Sequence, residues 1–133
     1  MIEHTFPAEI ARLPEAMGVL EQFMDSIGVP LPAQMHVSVS FEEMFVNVAS
    51  YAYPGGSGDV TVQLSAENNT LCIHLIDSGI PFDPLQRADP DTALSTDERP
   101  IGGLGIFMVK KSMDTVAYAY ADKKNIFTMT KNF

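Results

Sequence analysis

At 133 residues, with 46% hydrophobic and 19% charged side chains, the chain has the size and balance of one globular domain, expected to span residues 1–133. Its 17 acidic residues against 8 basic ones leave a formal charge of -9, which argues against nucleic acid, whose phosphates require a basic surface. One cysteine rules out an internal disulfide and three scattered histidines speak against zinc; with no secretory leader and no apolar run near the ~20 residues of a membrane span, the expected compartment is the cytoplasm.

A short N-terminal strand without a clear pattern precedes a first helix over about residues 8–27. Leu13, Met17, Leu20, Phe23, Met24 and Ile27 recur at helical spacing, Pro14 belongs near its first turn or kinks it, and Gly28 ends it. A second helix, about residues 32–53, runs to the breaker PGGSG and is apolar enough for most of its faces to be buried. One stripe on it is polar. His36, Ser40, Glu43, Asn47 and Ser50 follow steps of four, three, four and three and so share a narrow face, with Glu42 off it. An Asn oxygen is a hard ligand suited to Mg²⁺, and a carboxylate one turn away can orient or deprotonate a hydroxyl. Any amphipathic helix carries a polar face; this one differs in holding no Lys or Arg and a single acid.

DVTVQLSAENNTLCIHLID then reads as two strands around AENN, a hairpin, with Cys72 taken as a small buried hydrophobe. The return strand ends in IDSG. Asp77 there can accept a hydrogen bond from an amino group such as the exocyclic amine of adenine, and Gly79 lets a flat ligand approach the backbone; a plain Asp-Ser-Gly turn reads the same. LQRADPDTALSTDERPI follows without a period, a loop long enough in a small domain to be functional or disordered. Gly102, Gly103 and Gly105 then crowd the start of a third helix, about residues 104–113. N–H groups at 103–106 would cradle an anion at the positive end of that helix. GGLG fits neither the dinucleotide-binding nor the P-loop spacing, and a hinge or close helix packing is the alternative. TVAYAYADKKNIFTMTKNF reads as a second hairpin turning at DKKN. The expected class is α+β, a two-layer sandwich with the helices on one face of a sheet.

Taken in order, Glu43-x-x-x-Asn47, Asp77-x-Gly79 and Gly103-x-Gly105 resemble the N, G1 and G2 boxes of the Bergerat-fold (GHKL, histidine-kinase-like) ATPases. FEEMFVNVASYAYP, IDSGIPFDP, ERPIGGLGIFMVKKSMD and the closing TMTK are most similar to the branch of anti-sigma factor serine/threonine protein kinases, and the likeness runs over about residues 6–131. It implies a mixed, mostly antiparallel sheet with three helices on one face, and ATP and Mg²⁺ as cofactors. Asn47 is then the metal ligand, Glu43 the catalytic base, and Asp77 the acceptor of the adenine amine with Gly79 beside the ring. Gly103, Leu104 and Gly105 meet the phosphates, and an ATP lid spans about residues 84–101. Further implied are phosphorylation of an anti-anti-sigma (STAS) partner, sequestration of a sigma factor, or both, in bacterial partner switching, with a homodimer as a further possibility and no membrane partner.

Arg99 is the best candidate for a cation at the γ-phosphate, although Pro100 and Ile101 separate it from the glycines; a solvated lid arginine is the other reading. Relatives open the last strand with Gly-Thr, whose Thr helps bind adenine. Here Lys124 and Asn125 stand in that region, so the contact is altered or moves to Thr128. The competing function is a non-catalytic module in which nucleotide sets the shape and binding alone sequesters a partner.

Overall fold

The computed structural model describes residues 1–86 and 103–133. Its sheet is built by the alternation seen in the sequence. β2 (Asp59–Glu67) and β3 (Thr70–Asp77) point Val60, Val62, Leu64, Leu71, Ile73 and Leu75 to one side, all buried. β4 (Thr115–Ala121) and β5 (Lys124–Asn132) add Phe127 and Met129 to the same layer. Asn68 and Asn69 turn the first hairpin at φ 52° and 59°, and Asp122 and Lys123 turn the second at 54° and 62°. Paired left-handed residues of this kind give the turn whose twist matches that of the strands it joins.

β1 (Ile2–Pro7) pairs with β2 from Ile2 opposite Leu64 to Pro7 opposite Asp59, and the sheet runs β1-β2-β3-β5-β4. Every pairing is antiparallel, so the sheet is antiparallel throughout rather than mixed. The α+β expectation with three helices on one face holds.

The first helix starts later than its apolar spacing suggests. A 3₁₀ turn, Ile10–Arg12, precedes α1 (Leu13–Ser26), because Pro14 lacks the N–H that an interior helical position requires and sits in the first turn. Gly28, at φ 79°, closes α1. Its N–H reaches Asp25 O and the next, from Val29, reaches Met24 O at 3.0 Å, a Schellman pair that satisfies the free carbonyls.

α2 (Leu31–Tyr51) lays Val37, Phe41, Met44 and Phe45 on the sheet, and Phe45 stands edge-on to Phe6 at 6.4 Å. α2 also packs against α1 and α3 (Gly103–Ser112). That leaves its outward side open, so Leu31, Met35 and Val39 are exposed, against the expectation that most of α2 would be buried. At the end of α3, Lys131 Nζ donates to Ser112 O at 2.7 Å, a cationic cap on the last turn.

Cys72 lies on the open face of the sheet, half-buried, with Sγ 3.6 Å from His74 Nε2. It is one residue out of phase with Leu71 and Ile73, so the strand turns it away from the core. No helix among the described residues is long and apolar enough to cross a membrane. The expected lid begins in a 3₁₀ turn, Pro84–Gln86, with Leu85 N–H bonded to Asp83 Oδ1 at 2.8 Å; residues 87–101 of that expectation, Arg99 included, lie outside the described residues.

Candidate functional site

A cleft opens between the last turns of α2 and the ends of β3, β4 and β5. Asn47, Val48 and Ala52 form its helical wall, Leu75 and Phe127 its floor, and Asp77 and Asn125 its polar end. Apolar walls with a few convergent polar groups are what holds a small, flat ligand in a fixed orientation. Asn47 and Asp77, from separate boxes of the sequence, therefore meet in one place.

Asp77 is buried at 7% exposure, because its odd-numbered position continues the inward phase of Leu71, Ile73 and Leu75. One carboxylate oxygen, Oδ1, accepts from Gly79 N–H at 2.9 Å and from Asn125 Nδ2 at 2.9 Å. Asn125, opposite Asp77 in the strand register and also buried, makes further bonds. Nδ2 donates to Ile80 O at 2.8 Å and more weakly to Gly79 O at 3.4 Å, and Oδ1 accepts from Phe82 N–H at 3.2 Å and from the Tyr118 hydroxyl. Residues 79–82 are thus tied down across the end of the cleft.

The Thr128 alternative is excluded by the pleat. Thr128 pairs with His74, not Asp77, and its Oγ1 lies 2.8 Å from His74 Nδ1 on the opposite face of the sheet.

Two of the three glycines of the expected boxes, Gly79 and Gly105, are places of close approach. A Cβ on Gly79 would fall 2.2 Å from Ala52 O and 2.6 Å from Ala52 Cβ, because the loop lies directly on the end of α2, where Ile80 N–H donates to Ala52 O at 2.9 Å. A Cβ on Gly105 would fall 2.5 Å from Glu43 Oε2. The start of α3 is therefore pressed against the carboxylate of the N box, and a glycine there makes room for it.

Tyr53 supports the loop from behind. Its hydroxyl donates to Asp59 O at 2.6 Å and accepts from Ser78 N–H at 2.9 Å. Burial, above other influences, holds the Tyr53 and Tyr118 hydroxyls above the usual tyrosine pKa, so both remain donors at neutral pH.

The polar stripe of α2 divides in three dimensions. Ser40 is fully buried and donates to His36 O at 2.9 Å, so it belongs to the helix's own bonding. Glu43 is exposed and Asn47 half-buried, and the Asn47 amide makes no hydrogen bond among the described residues. That free amide oxygen, one helical turn from a carboxylate, fits Mg²⁺, which takes one or two protein oxygens and otherwise keeps water and phosphate oxygens. No group of three or more His, Cys, Asp and Glu suited to a metal occurs among the described residues, so the chain has no complete cage of that kind there.

Gly103 and Leu104 begin α3, whose first N–H groups have no partner within the helix, and α3 packs against α2. Tyr118 and Asn125 were not recognised as site residues from sequence. The available signal was phase: Asn125 stands where the strand alternation of Phe127 and Met129 demands an apolar side chain, and a polar residue at such a position is the informative exception.

Comparison with known proteins gives the family and the fold. The family described as the histidine kinase-like ATPase domain matches residues 6–131. The serine/threonine-protein kinase BtrW of Bordetella bronchiseptica is 28% identical over 92 residues, covering 68% of this chain. The matched stretch is 65% of BtrW, just under two thirds of its length. The structure of the RsbU and RsbW domains of Rv1364c from Mycobacterium tuberculosis superposes with a TM-score of 0.65 at 14% identity, over 99% of this chain and 32% of that one. Acinetobacter baumannii histidine kinase AdeS superposes at 0.51 and 14% identity, over 99% and 68%. The fold is shared with both.

Proposed function

The chain belongs to the histidine kinase-like ATPase domain family, and from that premise we propose that it stands in the branch of anti-sigma-factor serine/threonine kinases, binds ATP with Mg²⁺ in the Asn47–Asp77 cleft and transfers the γ-phosphoryl group to a serine or threonine of a protein partner. The observation that carries this reading is the convergence of the separate boxes: Asn47 and Asp77 line one cleft, and Gly105 at the start of α3 abuts Glu43 on the same helix as Asn47. The proposed partner is an anti-anti-sigma STAS protein, a sigma factor, or both in turn, as in partner switching.

In this reading Asp77 accepts the adenine amine and the apolar floor sandwiches the ring. Asn47 would hold Mg²⁺, which when bound would neutralise phosphate charge. The N–H groups at Gly103, Leu104 and Gly105 receive phosphate oxygens at the positive end of α3. Glu43 accepts the proton of the incoming hydroxyl as its oxygen bonds to phosphorus and the bond to the ADP leaving group breaks. Phosphoryl transfer is mostly positioning and charge neutralisation, so a shallow site with one base and one metal ligand suffices. Arg99 is proposed as an additional cation at the γ-phosphate.

Two substitutions test this. Glu43→Gln is expected to leave ATP affinity nearly unchanged while transfer to a STAS-domain substrate falls on the order of a hundredfold or more, measured as phosphoserine formed per minute. Asn47→Ala is expected to remove the Mg²⁺ dependence of ATP binding in calorimetric titration, with a loss on the order of tenfold, about 1.4 kcal/mol. ATP binding without any transfer in the native chain, together with partner regulation that survives Glu43→Gln, would favour the non-catalytic module instead.

A further inference from the structure

Asn125 has no hydrogen-bonding capacity left over. An asparagine side chain offers two N–H donors and one oxygen with two lone pairs. Here the donors go to Asp77 Oδ1 and to the Ile80 carbonyl, with Gly79 O nearby, and the oxygen receives Phe82 N–H and the Tyr118 hydroxyl. The partners also settle which way the amide faces. Rotating it by half a turn would set its oxygen against a carboxylate and two carbonyls and its NH₂ against a backbone N–H. A side chain committed in this way cannot also bond a nucleobase. Its effect is to hold Asp77 Oδ1 from one side while Gly79 N–H holds it from another, which leaves Oδ2 of this buried, cleft-lining carboxylate as the oxygen without a hydrogen bond among the described residues.

We infer that Asn125 is the positioning residue of the base pocket. It acts on the purine amine through Asp77 and fixes the 79–82 backbone, where a threonine contact to the base would otherwise be expected. This rests on the reading of the cleft as a nucleotide site and adds to it a residue for base recognition. Tyr118 is the next member of the chain, since its hydroxyl occupies one lone pair of Asn125 from β4. Recognition of the base amine is therefore coupled to the edge strand, through Asn125 and Tyr118.

The test compares two nucleotides on the full chain: ATP, and purine riboside triphosphate, which lacks the 6-amino group. Asn125→Ala is expected to weaken ATP roughly ten- to hundredfold and the des-amino nucleotide by less than about threefold, because only the amine needs Asp77 held in place. Adding Asp77→Asn to Asn125→Ala should cost ATP binding little beyond Asp77→Asn alone, since both act on one contact. Tyr118→Phe leaves the buried amide in place and is the variant to use if Asn125→Ala unfolds; it should shift the ATP to des-amino ratio in the same direction by a few-fold. Equal weakening of both nucleotides in Asn125→Ala and an unchanged ratio in Tyr118→Phe overturn the inference while leaving the nucleotide site intact. Failure of the native chain to bind either nucleotide removes the nucleotide reading itself and the inference with it.

Discussion

Asp77→Asn is expected to lower ATP affinity on the order of a hundredfold or more while leaving the fold near its native stability. The substitution is isosteric. The amide oxygen can take the place of Oδ1 and keep the bonds from Gly79 N–H and Asn125 Nδ2, both 2.9 Å in the native chain. The amide NH₂ then occupies the place of Oδ2 and faces the purine amine donor to donor. A site built to accept a hydrogen bond rejects a mismatched group far more strongly than an apolar pocket rejects a missing methylene, because desolvated polar groups are left unpaired. The same NH₂ suits a purine that carries a carbonyl at C6. The ratio of inosine triphosphate to ATP affinity should therefore rise, and calorimetric titration with both nucleotides measures it. A variant that binds ATP as tightly as the native chain would show that the base does not sit against Asp77.

Gly79→Ala is expected to be the most disruptive single-methyl change near the site. The added Cβ would lie 2.2 Å from Ala52 O and 2.7 Å from Ala52 C, contacts with backbone that cannot swing aside. The carbonyl concerned already receives Ile80 N–H, so the loop cannot lift without breaking that bond and pulling on the Asn125 network. Overpacking of this kind costs about 3 kcal/mol, which for a chain of this length lowers the melting temperature by roughly 10 °C. Thermal unfolding followed by circular dichroism reads this directly, and an unchanged midpoint would mean that the loop is not seated on α2 as described. Gly105→Ala provides the contrast. Its nearest neighbours would be Glu43 Oε2 at 2.5 Å and Cδ at 3.3 Å, the far end of a flexible side chain, so the fold should tolerate it while the carboxylate is displaced.

These two positions also show where sequence reading reached and where it stopped. The hairpins, their turns at 68–69 and 122–123, the end of α1 at Gly28 and the three helices were legible because each depends on local chemistry: alternation, left-handed turn residues and caps. Glu43, Asn47, Asp77 and the glycines were legible as a pattern of spacing, and the structure brings Asn47 and Asp77 into one cleft, sets Gly79 against its Ala52 wall, and presses Gly105 against Glu43. The stripe on α2 was legible only in part. Helical spacing places Ser40 beside Glu43, yet one is buried and the other exposed, and that difference depends on how α2 lies against the sheet and its two neighbouring helices.

By itself, then, the sequence determined the two hairpins, the three helices, the α+β class and the order of the boxes, all of which follow from periodicities of 2 and 3.6 residues and from residues with special backbone preferences. Tertiary structure alone decided that the sheet is wholly antiparallel, that β5 lies between β3 and β4, and hence that Asn125 stands opposite Asp77 while Thr128 faces away. Strand register couples residues nearly fifty positions apart, Asp77 and Asn125 among them. No local pattern encodes such a pairing; it is set by which apolar faces must be buried together.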